Sequence, residues 1–224
     1  MTATRNDPAA TLIPRPDDHV LGGPDATVTV LEYGDYECPY CAAAAPVLRR
    51  LVDESDGRVR LVFRNFPLAD RHPFALTAAL AAEAAGTQGA FWPMHELLMA
   101  RQDRLDDAAL RSYAAELGID GDRVVGEAAQ PFGDKVEADF AAGLADGVGG
   151  TPTLFVDGRL YSGRLELGAL RRATEAAARG SDADGRSDPG TRRQRGWSLG
   201  LRRAQREALA EDPQQDDPGD RCRH

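Results

Sequence analysis

Alternating apolar and polar residues predict two β-strands in the first third of the chain. The stretch 27–33 (Thr-Val-Thr-Val-Leu-Glu-Tyr) is rich in β-branched and aromatic side chains, and 58–64 (Arg-Val-Arg-Leu-Val-Phe-Arg) alternates polar with apolar residues. The residues between them, 42–51, predict a helix. Pro46 lies inside this helix, where it removes a backbone hydrogen bond, so we expect a bend there. The first elements are therefore a strand, a helix and a strand.

The middle of the chain, residues 73–147, has helical periodicity throughout. Glycines and a capping aspartate divide it into four predicted helices, at 73–85, 91–101, 106–118 and 135–146. In the last of them Val136, Phe140 and Leu144 recur every four residues and predict a stripe that faces the core. These are packing signals, and they indicate no ligand.

A β-hairpin is predicted after the helical block. Residues 153–156 and 159–162 are separated by Asp157-Gly158, and this dipeptide is the strongest short-range hairpin signal. Pro152 opens the first strand, where no ladder hydrogen bond is demanded of it. A last helix is predicted over 166–178, so the chain as a whole has an α/β pattern.

Composition limits the classes of protein that fit this pattern. With 224 residues the chain can hold one sizeable domain, and nowhere does it approach the ~20 consecutive apolar residues that a membrane span needs. The net charge of −9 arises within residues 1–180, so no basic face for nucleic acid is expected. Residues 1–19 contain no apolar leader segment, which favours a cytoplasmic location.

The end of the chain differs in composition from the rest. Residues 181–224 are rich in Gly, Ser, Asp, Pro, Gln and Arg and predict a disordered tail, because few of them can be buried. Six arginines around Trp197 in 192–206 leave open a short amphipathic helix that meets an acidic partner or an anionic surface. A solvated extension is the favoured interpretation, and Cys222 is then a bystander.

Two cysteines after the first strand carry the candidate chemistry. Cys38 and Cys41 flank Pro39-Tyr40, after Gly34-Asp35 has broken the strand. Because proline is favoured at the first position of a helix, we expect Cys38 to be the cap residue, where unpaired N–H groups and the helix dipole stabilise a thiolate. This setting lowers a thiol pKa from about 8.5 to roughly 3.5–7.5, which populates the nucleophile at neutral pH. Cys41, one turn deeper, is then the resolving thiol.

A structural zinc site is the alternative for this spacing, since Cys-x-x-Cys can supply half of one. Four ligands need more sulfur or imidazole. The only other cysteine is Cys222, and the four histidines, His19, His72, His95 and His224, show no paired spacing. A catalytic or redox-sensing pair is the usual reason for the motif in a reducing cytosol, so we expect no metal. His72 and His95 are interpreted as hydrogen-bonded packing residues.

Three separated motifs together resemble one known family. Residues 33–41 (Tyr-Gly-Asp-Tyr-Glu-Cys-Pro-Tyr-Cys), 65–68 (Asn-Phe-Pro-Leu) and 149–153 (Gly-Gly-Thr-Pro-Thr) look like the DsbA-like branch of the thioredoxin superfamily. The resemblance covers roughly residues 18–178 and implies an α/β thioredoxin-like fold with an inserted α-helical domain. The implied organisation is a flexible N-terminal segment at 1–18, the first part of the thioredoxin-like core at 19–72, the helical insertion at 73–147, the second part of the core at 148–180, and the disordered tail at 181–224.

The resemblance implies a role for each position that matches. Cys38 corresponds to the attacking cysteine and Cys41 to the buried resolving one. Thr151 and Pro152 correspond to the substrate-binding loop, with Pro152 cis and the Thr151 backbone free to pair with an extended peptide. An ordinary trans proline at a strand edge is the alternative. Glu32 matches a carboxylate beneath the family's active site, so it is either a tuning residue that relays the proton of Cys41 or a partly exposed strand glutamate.

The two residues between the cysteines also affect the reduction potential of the Cys38–Cys41 pair. Pro39-Tyr40 is the dipeptide of glutaredoxins, whereas the periplasmic oxidants of this family commonly have Pro-His. Without the histidine's contribution we expect a reduction potential between about −270 mV and about −120 mV, the values of thioredoxin and DsbA. Reduction or isomerisation of cytosolic disulfides is therefore favoured over oxidation.

The function expected from these residues is dithiol–disulfide exchange on protein, peptide or small-thiol disulfides. The reaction needs no metal or organic cofactor, and glutathione or a thioredoxin system is a candidate electron donor. Three alternatives stay open: a glutathione-dependent isomerase or transferase, a chaperone that binds extended peptides, and a redox sensor that alters a partner contact. Relatives of the first kind usually lack the second cysteine, so Cys41 argues against it.

Overall fold

A computed structural model describes residues 13–184, which are built around a five-stranded sheet. The strands are β1 (His19–Leu21), β2 (Val28–Gly34), β3 (Val59–Asn65), β4 (Thr153–Val156) and β5 (Arg159–Tyr161). Their order in the sheet is β1-β3-β2-β4-β5; β2 and β3 pair in parallel, and the other neighbours are antiparallel. The mixed α/β fold predicted from the sequence is confirmed.

Six α-helices within the described residues accompany the sheet. They are α1 (Pro39–Asp53), α2 (Ala75–Gly86), α3 (Phe91–Ala100), α4 (Asp107–Glu116), α5 (Gly133–Ala145) and α6 (Leu167–Asp184). Two 3-10 helices, Gly121–Arg123 and Gly126–Phe132, connect α4 to α5 and were not predicted. No helix within 13–184 has the length and hydrophobicity needed to cross a membrane.

The parallel pair β2 and β3 forms the buried centre of the sheet. α1 makes the crossover between the two strands, as a parallel pair requires. In each strand only the second residue is partly exposed, because helices cover both faces. α1 and α6 pack on one face around Leu48 and Leu170, and α5 covers the other near Phe66 and Phe140. This arrangement places the start of α1 at the edge of the sheet where β2 ends.

The helical insert, which we define as residues 75–145 between β3 and β4, is organised around α2. This helix is apolar on every side, which is typical of a helix buried in a core. Its buried residues are mostly alanines, namely Ala75, Ala78, Ala79, Leu80, Ala81, Ala82, Glu83, Ala84 and Ala85. The small side chains let α3, α5 and the second 3-10 helix pack against it.

The predicted core stripe on α5 is wrong in part. Val136 is buried and Phe140 partly buried, but Leu144 is 57% exposed, and the fully buried position is Asp139. Asp139 lies inward because its Oδ2 accepts hydrogen bonds from the main-chain N–H (3.2 Å) and the side-chain amide (3.3 Å) of Asn65. The buried positions of α5 are thus Val136, Asp139 and Gly143, and apolar spacing does not reveal the polar contact at Asp139.

The hairpin occurs where Asp157-Gly158 predicts it. Both residues have positive φ, 44° for Asp157 and 73° for Gly158, as a type I′ turn requires. Asp157 also ties the turn to β2, since its Oδ1 accepts the N–H of Thr29 (2.7 Å) and its own N–H donates to the Thr29 carbonyl (2.9 Å). The signal is local, so the sequence alone reveals this element.

The two ends of the described chain differ from the prediction. The sequence predicts a flexible segment over 1–18, whereas within 13–18 the Arg64 guanidinium donates to the carbonyl of Ile13 (3.0 Å) and to both carboxyl oxygens of Asp18 (3.0 and 2.8 Å). These contacts precede β1, a three-residue strand that the sequence does not predict. α6 continues past residue 178 to Asp184. The rest of the predicted disordered tail, with Cys222, lies outside the described residues, as do residues 1–12.

Candidate active site

Cys38 lies at the start of α1, directly beyond the end of β2. It is the N-cap residue, with φ of −76° and ψ of 119°, and Pro39 follows at the first helical position. Its carbonyl accepts the first helical hydrogen bonds, from the N–H groups of Cys41 (3.0 Å) and Ala42 (3.1 Å). No side chain caps the helix, and the main-chain N–H groups of Tyr40 and Cys41 contribute to the stabilisation of the Cys38 sulfur.

The surroundings of Cys38 lower its pKa from 9.0 to about 5. The largest cause is a hydrogen bond with the Cys41 side chain. Burial acts in the opposite direction, and it is outweighed when hydrogen bonds from Thr151 and from the main-chain N–H groups of Cys41 and Tyr40 are added. A pKa of about 5 makes Cys38 a thiolate at neutral pH.

Cys41 lies one turn further along α1 and is fully buried. The main-chain N–H of Asp35 donates to its sulfur at 3.5 Å. The hydrogen bond with Cys38, followed by burial and the nearby Glu32 carboxyl, raises the pKa of Cys41 far above its ordinary value. The two sulfurs are therefore unequal, with Cys38 ionised and Cys41 protonated.

The loop before β4 faces Cys38, and the Thr151–Pro152 peptide bond is cis. When Cys38 is protonated, its thiol donates to the carbonyl of Thr151 at 3.3 Å. The hydroxyl oxygen of Thr151 is buried and, within residues 13–184, has no hydrogen-bond partner while Cys38 is a thiol. This hydroxyl is available to donate when the sulfur ionises, which is consistent with its contribution to the lowered pKa of Cys38.

Glu32 lies in β2 and is 1% exposed, so it is buried and not partly exposed. Neither of its carboxyl oxygens has a hydrogen-bond partner among the residues that the structure describes. Burial, with a smaller effect of the Cys38 charge, raises the pKa of Glu32 to about 8. A carboxyl group with this pKa can gain or lose a proton near neutral pH.

Pro39 and Tyr40 complete the motif between the cysteines. Pro39 starts α1, and the side chain of Tyr40 is 71% exposed at the surface beside Cys38. The sequence-predicted residues thus come together: Thr151 contacts Cys38 directly, Pro152 follows it, and Glu32 is electrostatically coupled to both sulfurs.

A carboxylate that the sequence analysis passed over holds the loop before Cys38. Asp35 is buried, its Oδ1 accepts the N–H of Glu37 (2.8 Å), and its Oδ2 accepts the N–H of Leu68 (2.8 Å) and contacts Nδ1 of His72 (2.8 Å). The aspartate therefore joins two of the sequence motifs, 33–41 and 65–68. His72 is hydrogen-bonded to Asp35, as its interpretation as a packing residue requires.

The helical insert contacts the same loop through residues that carry no sequence signal. Nε2 of Gln102 donates to the carbonyls of Tyr36 (2.9 Å) and Cys38 (2.9 Å). The Tyr36 hydroxyl lies 3.2 Å from Nδ1 of His95. Burial, with a smaller effect of His19, lowers the pKa of His95 to about 3, so its ring stays neutral and packs among aromatic side chains. Apolar periodicity cannot reveal Gln102, because its partners lie more than 60 residues away in the sequence.

Metal ligation has little support in this part of the chain. Within residues 13–184 no group of three or more His, Cys, Asp and Glu side chains is arranged to hold a metal ion. Neither cysteine of the motif is in a disulfide within this stretch. The zinc alternative therefore finds no further ligands near Cys38 and Cys41.

Comparison with known proteins indicates a thioredoxin fold, whereas the similar curated proteins have the names of ion antiporters. The thioredoxin family matches residues 15–176. A curated protein named Na(+)/H(+) antiporter NhaA 1, from Salinispora arenicola, is 45% identical over 182 residues, which are 80% of this chain but 28% of that protein. The chain thus spans little more than a quarter of the length of this relative.

Two solved structures extend the comparison. A thioredoxin-like oxidoreductase from Silicibacter pomeroyi DSS-3 is 31% identical, with a TM-score of 0.65 over 78% of this chain and 99% of that one. Wolbachia pipientis alpha-DsbA1, at 19% identity, shares the fold, with a TM-score of 0.67 over 80% of this chain and 99% of that one. The chain has the DsbA-like form of the thioredoxin fold, and at the superfamily level it groups with thiol–disulfide oxidoreductases. It belongs to the thioredoxin family.

Proposed function

We propose that the chain is a protein thiol–disulfide oxidoreductase that works by exchange between its Cys38–Cys41 dithiol and a substrate disulfide. The observation that carries the proposal is the inequality of the two sulfurs: the pKa of Cys38 is lowered to about 5, while that of Cys41 is raised. Two-step exchange needs a nucleophile that is ionised at neutral pH and a protonated partner beside it.

In the first step the Cys38 thiolate attacks one sulfur of the substrate disulfide. A bond forms between Cys38 and that sulfur, the substrate's own S–S bond breaks, and the leaving thiolate takes a proton from solvent. The Thr151 backbone, which already contacts Cys38, pairs with the extended peptide around the substrate cysteine in the manner of strand addition. Pro152 has no N–H, so it keeps a main-chain donor away from the sulfurs.

In the second step Cys41 resolves the mixed disulfide. The Cys41 thiol first loses its proton to the ionised fraction of Glu32, whose pKa of about 8 is no longer raised by the Cys38 charge once Cys38 is in the mixed disulfide. The Cys41 thiolate then attacks Cys38, and the substrate leaves as its second thiol. The substrate has gained two electrons and two protons, and the enzyme holds a Cys38–Cys41 disulfide. Glutathione or a thioredoxin system returns the electrons, and no metal or organic cofactor takes part.

We further propose reduction or isomerisation of protein or small-thiol disulfides in the cytosol as the physiological direction. The Cys38 pKa of about 5 lies between the values of roughly 3.5 for DsbA and 7 for thioredoxin. A more stabilised thiolate makes a dithiol more oxidising, so the potential is expected between about −270 mV and about −120 mV. Equilibration with glutathione buffers measures it, and a value close to that of DsbA contradicts the reductive direction.

Catalysed reduction of insulin by the full chain tests the proposed reaction. Cys38→Ser is expected to abolish turnover because the nucleophile is gone. Cys41→Ser is expected to stop after the first step and to accumulate a mixed disulfide with the substrate. Cys222→Ser is the matched control and is expected to keep wild-type turnover. Turnover that survives Cys38→Ser refutes the proposal.

The same variants separate the alternatives. Activity that needs Cys38 but survives Cys41→Ser indicates a glutathione-dependent isomerase or transferase. Suppression of aggregation by a variant that lacks both cysteines indicates a peptide-binding chaperone. Partner binding that changes with the redox state, without insulin reduction, indicates a sensor.

A second proposal concerns the partner: we propose that the Cys38 thiolate of the chain attacks a disulfide of an Na(+)/H(+) antiporter, which releases one antiporter thiol. The support is that relatives up to 45% identical to this chain are named Na(+)/H(+) antiporters and are several times longer than the matched stretch. Cys41→Ser incubated with membranes that contain such an antiporter is expected to form a mixed disulfide with it, which dithiothreitol releases. Absence of that adduct, while the same variant traps insulin, refutes this partner.

A further inference from the structure

Gln102 is the one side chain of the insert that hydrogen-bonds to the main chain of Cys38, among the residues that the structure describes. It lies two residues after the end of α3 and is partly buried. Its Nε2 donates to the Tyr36 carbonyl and to the Cys38 carbonyl, both at 2.9 Å. A single amide group therefore bridges two peptide planes, one on each side of Glu37.

The two carbonyls determine how α1 begins. The Cys38 carbonyl accepts the N–H groups of Cys41 and Ala42, so its direction sets the direction of the first helical turn. Pro39 supplies no N–H. The main-chain donors that stabilise the Cys38 sulfur are the N–H of Tyr40 and the N–H of Cys41, which is shared with the Cys38 carbonyl, and both follow the orientation of this turn.

Other contacts of the loop before Cys38 do not fix the direction of the Cys38 carbonyl. The Tyr36 side chain is held by His95, and the Glu37 carboxylate accepts the N–H of Phe74. Both contacts hold side chains of the loop. Neither restrains the peptide plane that carries the Cys38 carbonyl.

We propose that Gln102 is a positioning residue for Cys38, which holds the Tyr36 and Cys38 carbonyls so that the first-turn N–H groups of α1 point at the reactive sulfur. This inference rests on the proposed function, because Gln102 affects catalysis only if Cys38 is the nucleophile. Loss of the amide donor releases both carbonyls, the first turn can rotate, and the thiolate loses part of its stabilisation.

The test is the pH profile of Cys38 in the reduced full chain, followed by thiolate absorbance and by the rate of alkylation with iodoacetamide. Gln102→Met keeps the length of the side chain and removes the donor. It is expected to raise the Cys38 pKa, so that the alkylation rate near pH 5 falls roughly three- to tenfold. Gln102→Lys keeps a donor and is expected to retain at least the wild-type rate.

Gln88→Met is the matched control. The Gln88 side chain also hydrogen-bonds to main-chain groups, those of Asp120, but these contacts stay within the insert. The control is expected to leave the pH profile unchanged. If Gln102→Met does not fold, as judged by circular dichroism, then Gln102→Leu, which is uncharged and has no donor, is measured in its place and is expected to raise the pKa of Cys38.

The outcomes for Gln102 and for the proposed function can be told apart, because neither thiolate absorbance nor alkylation with iodoacetamide needs a disulfide substrate. An unchanged pH profile in a folded Gln102→Met protein overturns the inference even if the wild type reduces insulin. An equal fall of the alkylation rate near pH 5 in Gln88→Met, or in Gln102→Lys, also overturns the inference. A shifted profile in a protein that reduces no disulfide supports the positioning role and refutes the proposed function.

Discussion

At the residue scale, the site depends on buried oxygens that have no permanent partner. Within the described residues, both carboxyl oxygens of Glu32 and the hydroxyl of Thr151 are buried without a hydrogen bond. An unpaired buried polar group costs about 1–3 kcal/mol. The Thr151 hydroxyl gains an acceptor when Cys38 ionises, and Glu32 avoids a buried charge by staying protonated. The cost of each buried group to the stability of the fold therefore depends on whether Cys38 and Glu32 are protonated.

Glu32→Gln is expected to remove a pH dependence of stability. In the unfolded chain a glutamate ionises near 4.5, whereas folding raises the pKa of Glu32 to about 8. Between these pH values the folded protein holds a proton that the unfolded chain has released, so the free energy of unfolding falls as pH rises, by about 3–5 kcal/mol in total. Urea unfolding of both proteins near the two ends of this range measures the effect as a difference. Relative to Glu32→Gln, the wild type is expected to lose this stability as pH rises, because the opposing contribution of the lowered Cys38 pKa is common to both proteins.

Glu137→Gln provides the matched control for this prediction. Glu137 is exposed on α5, and its neutralisation is expected to leave the wild-type pH dependence intact. Equal pH dependence in the wild type and in Glu32→Gln would show that Glu32 ionises normally in the folded protein.

Thr151→Val is expected to raise the pKa of Cys38. The substitution removes a hydroxyl that helps to lower this pKa and leaves a side chain of similar volume. A rise of about half a unit corresponds to a roughly threefold loss of thiolate below the pKa. Thiolate absorbance as a function of pH measures the change. Thr174→Val is the control, because that buried hydroxyl donates to carbonyls of its own helix, and a shift of equal size there would contradict the assignment.

At the scale of elements, the sequence predicts those turns and helix ends that the residues at the same positions determine. The Asp157-Gly158 turn and the start of α1 at Pro39 both follow from the conformations that these residues favour. The inward face of α5 and the contact of Gln102 with the loop before Cys38 have no local cause, because each depends on polar partners distant in the sequence. Cys38, Cys41 and Thr151 lie in motifs that are visible in the sequence, whereas the contacts of Asp35 and Gln102 needed the structure.

Gly143→Ala is expected to destabilise the packing of α5 on the sheet. A Cβ atom at residue 143 meets the Phe66 ring at 2.6 Å and the Tyr33 ring at 3.1 Å, and both rings are buried. Such overpacking costs about 1–3 kcal/mol, which exceeds the gain of roughly 1 kcal/mol in helix propensity. Chemical denaturation measures the difference.

Gly133→Ala tests the same substitution at the start of the same helix. No atom lies within 4 Å of a Cβ at residue 133, so this variant is expected to be neutral or more stable than the wild type. If both alanine variants were stabilised, the close approach of α5 to the sheet would be refuted.

At the scale of the whole molecule, buried charges connect the N-terminal segment, the sheet and the insert. The side chains of Arg64 and Asp18 are both fully buried and form a bidentate pair. Arg15 contacts Asp18 and also Asp139 of α5, and Asp139 in turn accepts the amide groups of Asn65. Asn65 begins the 65–68 motif, whose Leu68 contacts Asp35 beside the cysteines. The network therefore links the outer part of the fold to the position of the active-site loop.

Asp18→Asn is expected to destabilise the fold by about 3–5 kcal/mol near neutral pH, because it removes the carboxylate that faces a buried guanidinium. Burial acts to raise the pKa of Asp18, but hydrogen bonds from Arg64 and from the N–H of Arg15 outweigh it and lower the pKa. The stabilisation is therefore present above the ordinary value of 3.8 and is lost as pH falls through the lowered pKa. The difference in unfolding free energy between the wild type and Asp18→Asn is expected to shrink in acid.

Asp17→Asn is the matched control, since the Asp17 side chain is 57% exposed and its Arg15 contact, at 3.7 Å, is a surface ion pair worth about 0–1 kcal/mol. Denaturant unfolding of the three proteins, at neutral pH and again below about pH 4, measures both effects. A similar small loss in the two variants would mean that the Asp18–Arg64 pair is hydrated in solution. In that case residues 13–18 would not be fixed to the sheet, and the flexible segment predicted from the sequence would be the better description of this end of the protein.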